Sequence, residues 1–153
     1  MYHKSVAITG CTIEKTTKYD QFREDKIRME LYRIILSLYS DGYRTFTCHL
    51  HTYIGLLGAD TIVMLRDTDK CPEIILSAVI PETDFPADTD KLYCALYDDL
   101  IKQADSKEIL SEKDNAGKVP SGYHIICYYN DFCPEIGRVR ASGIPYTNIC
   151  KMI

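Results

Sequence analysis

The chain has no apolar run long enough to cross a bilayer. The stretch from Ile74 to Pro81, typical of its longest, falls far short of the roughly 20 residues a helical span needs. No membrane association is therefore expected. Basic charge is not in excess either: 18 Lys and Arg stand against 22 Asp and Glu, a formal net charge of −4. Without a basic stripe, binding along a nucleic-acid backbone is disfavoured. There is no basic N-terminal segment leading into an apolar stretch and a cleavage site, and the seven cysteines are an odd number. Both features read as a cytoplasmic protein with reduced thiols. No Cys-x-x-Cys or His-x-x-x-His spacing signals a structural zinc site, and no cofactor is called for. Cys127 and Cys133 are spaced as neither a redox pair nor a zinc knuckle, and no internal repeat or low-complexity segment is present.

What is present fits one domain of 153 residues with its own core. A short strand over Lys4–Thr9 runs into Gly10. Ile27, Leu31, Ile34, Ile35 and Leu38 then recur at helical spacing between Asp20 and Asp41, while Arg23, Glu24, Lys26, Glu30 and Arg33 fill the opposite side. Asp41-Gly42 ends that helix in a left-handed cap. A second strand spans Tyr43–His51, and Thr52 is the expected N-cap of a helix that is apolar nearly all round to about Arg66. Ile74–Ile80 reads as a strand covered on both faces. A third helix is expected from Asp88, with Leu92, Leu96 and Leu100 as its stripe and Tyr93 and Tyr97 beside it. A short strand over Ala104–Leu110, an exposed loop over Ser111–Ser121, a strand over Tyr123–Tyr129, a short helix to Ala141 and a strand over Tyr146–Cys150 complete the chain.

Strands alternating with helices predict βαβ units, hence an α/β fold with a mostly parallel sheet of five to six strands and helices on both faces. In such sheets ligands sit beyond the carboxyl ends of the strands. Two strand ends carry glycine there: Thr9-Gly10-Cys11, and the start of the second helix at Gly55 and Gly58, where backbone and unpaired N–H groups can approach an anion.

Ile8-Thr9-Gly10, the long helix ending in Asp41-Gly42-Tyr43, the Gly55-Leu56-Leu57-Gly58-Ala59-Asp60 helix start and the order of elements resemble the SLOG superfamily of Rossmann-like domains. Within it the resemblance is to the YpsA-like proteins related to the DNA-processing protein DprA. It implies a Rossmann-like three-layer sandwich that binds a nucleotide or nucleotide-derived ligand. Two departures stand out. Cys11-Thr12 replaces the His-Arg pair frequent in YpsA-like proteins, and Asn130–Ile136 with Gly137 alone replaces a Gly-Gly-Thr turn. Consecutive glycines are what let such a turn cradle a phosphate.

The candidate ligand-binding residues are Thr9, Gly10, Cys11, His49, His51, Tyr53, Gly55, Gly58, Asp60, Glu82, Tyr129 and Asn130. His49 and His51, two apart, line one side of a strand end as polar groups; a metal there is the weaker reading. Asp60 reads chiefly as a carboxylate that must be paired in its apolar helix, with ribose contact as the alternative. Cys11 would have a lowered thiol pKa beside a helix N-terminus, although a plain turn residue is the preferred reading. Tyr32, Tyr39, Tyr93 and Tyr97 read as core or interface, so a homodimer is compatible with the pattern. Three functions compete: ligand binding at the sheet edge, N-glycosidic bond hydrolysis or transfer with Asp60 or Glu82 as acid/base, and a non-catalytic assembly protein that has lost its site.

Overall fold

A computed structural model describes residues 4–11, 20–81, 91–110, 122–130 and 133–152. Glu82, the polar connection at 12–19, the expected helix start near Asp88 and the expected loop at 111–121 lie outside the described residues.

Six strands, β1 (Ser5–Gly10), β2 (Thr45–His49), β3 (Ile75–Pro81), β4 (Ser106–Leu110), β5 (His124–Tyr128) and β6 (Tyr146–Asn148), form one sheet. Its order is β4-β3-β2-β1-β5-β6, and every neighbouring pair is parallel. Among the described residues the α-helices are α1 (Gln21–Ser40), α2 (Tyr53–Asp67), α3 (Lys91–Gln103) and α4 (Pro134–Ala141). The fold is thus the Rossmann-like three-layer sandwich, with a wholly parallel sheet. Strand order advances one way from β1 to β4 and the other way through β5 and β6. The reversal lies between β1 and β5, where a ligand crevice is expected in this class of sheet.

Alternation along the strands divides the core. Val6, Ile8, Phe46, Cys48, Leu76, Ala78 and Ile126 pack beneath α1, α2 and α3. Ile125, Cys127 and Tyr129 point the other way and pack with Ile136 and Val139 of α4. The apolar helix α2 sits centrally, touching β1, β2 and β3 as well as α1 and α3, which is why its residues are buried on nearly every side. Helix α1 begins at Asp20, whose carboxylate accepts from the Arg23 N–H, and ends before Gly42 at φ +103°.

Three sequence expectations change. Glu24 is not on a solvent face: it is buried and paired with Arg28 at 3.5 Å, one turn along. The buried stripe of α3 is Tyr93, Tyr97 and Leu100, while Leu92 is exposed, because the large tyrosine rings reach the core that α2 leaves open. β3 is covered on its second face only in part: Leu76 and Ala78 are buried under the helices, while on the other side Val79 is buried, Ser77 half-buried and Ile75 exposed.

Candidate functional site

The carboxyl ends of β2, β1 and β5 bring most of the predicted residues together. On the α4 side of the sheet, the Thr9 hydroxyl lies 3.2 Å from His49 Nδ1 and also bonds the Tyr129 side chain. The His49 ring stacks on His51, centroids 5.7 Å apart. Burial holds the His49 imidazole well below its ordinary value, at about 4, with the neighbouring His51 adding to the effect. Burial lowers His51 too. Both rings are therefore neutral at pH 7, and the buried His51 Nδ1 has no hydrogen-bond partner among the described residues. Among the described residues no three His, Cys, Asp or Glu side chains gather to hold a metal ion.

Tyr129 is buried, and burial pushes its phenol up to about 12 against the opposing effect of the Thr9 bond. Its backbone is latched on both sides by Asn148, which accepts from the Tyr129 N–H at 3.0 Å and donates to its carbonyl at 2.8 Å. Asn130 follows at the surface, its carbonyl accepting from Cys133 N–H.

The glycines prove to be packing positions. A Cβ on Gly10 would come within 2.7 Å of the Ile54 side chain and 3.1 Å of the Tyr128 carbonyl. One on Gly55 would meet the His49 carbonyl at 2.0 Å, and one on Gly58 would press on Ile8 at 3.0 Å. Glycine here lets α2 lie against the sheet and the end of β2. The first turn of α2 is also spoken for: Thr52 Oγ1 accepts from Gly55 N–H at 3.0 Å, and Tyr53 N–H donates to the Cys11 carbonyl at 3.3 Å. Fewer N–H groups are left for an anion than a bare helix start would offer.

Asp60 lies further along α2, its carboxylate 2.5 Å from Arg28 Nη1 of α1. With Glu24 it forms a bridge between the two helices, the pairing that a carboxylate in an apolar helix requires. Tyr53 stands edge-on to Tyr93, centroids 5.6 Å apart, and its phenol is driven upward by burial and by a bond with Tyr93.

Two features escaped sequence reasoning. Arg23, at the start of α1, places its guanidinium 5.1 Å from the centre of the Tyr128 ring and donates to the Tyr128 hydroxyl through Nη2 and Nε, at 2.5 and 3.1 Å. Tyr128 pairs in register with Gly10 across the strand reversal, so this exposed cation stands beside the expected crevice. Its only sequence signal was an arginine in the first turn after Asp20. The other feature is Cys11. Its sulfur is turned in toward the Tyr128 carbonyl, at 3.9 Å, and lies 3.3 Å from the sulfur of Cys133. Desolvation, then the bond to Cys133, push the Cys11 thiol up to about 12. The alternative of a lowered thiol is thereby excluded, and α2 receives the Cys11 carbonyl rather than its sulfur.

In comparison with known proteins, no family model matches this chain and no curated protein matches it.

Proposed function

We propose that this protein is a divergent SLOG-type, Rossmann-like module that binds a nucleotide or nucleotide-derived ligand at the carboxyl edge of its sheet, over the β1/β5 reversal. The observation that supports this reading best is the exposed Arg23 guanidinium beside Tyr128. A guanidinium offers paired donors suited to a phosphate, and the polar edge of Thr9, His49 and His51 supplies neutral groups suited to hydroxyls or a base. Calorimetric titration with AMP, ADP-ribose and adenosine tests it. Arg23→Ala is expected to weaken the phosphate-bearing ligands by about tenfold or more, the worth of one charge-assisted bond, and to leave adenosine unaffected. A flat response of the unaltered protein to all three overturns the reading.

The glycine contacts favour a second reading, a non-catalytic assembly protein. Ile54, the His49 carbonyl and Ile8 fill the spaces that glycine leaves in a ligand-binding edge. A homodimer in sedimentation, with no ligand bound, supports it. A monomer that binds a nucleotide discards it. The N-glycosidase reading is the least supported: Asp60 is engaged by Arg28, and Glu82 lies outside the described residues.

A further inference from the structure

The geometry points to Cys11 and Cys133 as a site of reversible disulfide formation that staples the end of β1 to the start of α4. The two residues are 122 positions apart in sequence, yet their sulfurs lie 3.3 Å from each other. An S–S bond of ~2.05 Å needs them closer by little more than an ångström, within reach of a small side-chain rotation. Cys11 is exposed and Cys133 half-buried, so a small oxidant can reach the pair, and neither sulfur is otherwise committed to a disulfide. Of the other described thiols, Cys48, Cys71 and Cys127 are buried and closed to an oxidant.

The position gives the bond a structural consequence. Cys133 is the N-cap of α4, its side chain making no capping bond, and Pro134 begins the helix. Cys11 directly follows Gly10, the last residue of β1. A bond between them ties the segment leaving β5 to the segment leaving β1 on the α4 side of the strand reversal.

The oxidant is a low-molecular-weight disulfide. The Cys133 thiolate attacks one of its sulfurs and expels the other as a thiolate, leaving a mixed disulfide on Cys133. Cys11 then yields its proton to an expelled thiolate and attacks the Cys133 sulfur, releasing the second small thiol. The protein loses two electrons and two protons, and the oxidant becomes two thiols. Cys11, whose thiol is held protonated by desolvation and by its bond to Cys133, acts second.

The test is equilibration of the whole chain in graded mixtures of oxidised and reduced glutathione, followed by alkylation and peptide mapping by mass spectrometry. As the oxidised form comes into excess, two of the seven cysteines should escape alkylation. They should map to one linked peptide pair holding Cys11 and Cys133, and excess reductant should restore both. Cys11→Ser should instead accumulate a glutathione adduct on Cys133, whereas Cys94→Ser should behave as the unaltered chain. Complete alkylation at every ratio overturns the proposal, as does linkage of Cys11 to Cys150. If a serine variant fails to fold, the map of the unaltered chain decides alone.

Discussion

At Gly55 a single methyl group would sit 2.0 Å from the His49 carbonyl, a distance that neither backbone can concede without moving α2 off the end of β2. Gly55→Ala should therefore cost several kcal/mol in denaturant titration, at or beyond the ~1–3 kcal/mol typical of an overpacked core. Gly137 supplies the contrast. It lies within α4 with nothing inside 4 Å of an added Cβ. Gly137→Ala should stabilise the protein by roughly 0.5–1 kcal/mol, since alanine restricts the unfolded chain and favours helix. Equal effects of the two substitutions would show that Gly55 is not a packing glycine. The two glycines look alike in the sequence. Their difference is a neighbour supplied by another element.

Between elements, the connection leaving β5 depends on one side chain. Asn148, at the end of β6, completes both hydrogen bonds of the buried Tyr129 backbone, continuing the parallel ladder with an amide where the strands have ended. Asn148→Ala leaves a buried N–H and a buried carbonyl unpaired. The expected loss is about 2–4 kcal/mol by chemical denaturation, with faster amide exchange at Tyr129. Asn148→Asp would keep the acceptor and lose the donor, so an intermediate loss is expected. The start of α2 has the same logic on a smaller scale. Thr52→Ala removes the acceptor of Gly55 N–H and should cost ~1 kcal/mol.

For the molecule as a whole, the three described histidines share one direction. Burial lowers His49 to about 4 and also lowers His51 and His124. Below their ordinary value of 6.5 the unfolded chain takes up protons that the folded chain refuses. Stability is then fully present above about pH 6.5 and is lost as pH falls toward 4. His49 alone accounts for roughly 3 kcal/mol across that window, one pKa unit being 1.36 kcal/mol. Unfolding free energies measured between pH 4 and pH 7 should show this slope, and His49→Gln should flatten most of it. An unchanged slope in that variant would mean that His49 is protonated in the fold. The same ring holds the Thr9 hydroxyl at 3.2 Å, so acid titration of His49 would also act on that contact.

Periodicity and caps were enough to read the six strands, the long first helix between Asp20 and Asp41, the Thr52 cap and the parallel α/β class, because these depend on neighbours a few residues apart. The buried tyrosine stripe of α3 and the burial of Glu24 were not legible in that way. Each depends on what the facing helix leaves room for. Of the candidate residues, sequence alone put glycine, threonine and histidine at the carboxyl edge of the sheet, since their positions at strand ends are local facts. Tertiary structure decided how that edge is used. It filled the glycine spaces with Ile54 and the His49 carbonyl, gave Asp60 to Arg28, and set Arg23 over Tyr128 and Cys11 against Cys133. The physical reason is the same throughout: local propensity places a residue on an element, but its partner, and so its chemistry, comes from another element, as far as 122 positions away for Cys11 and Cys133.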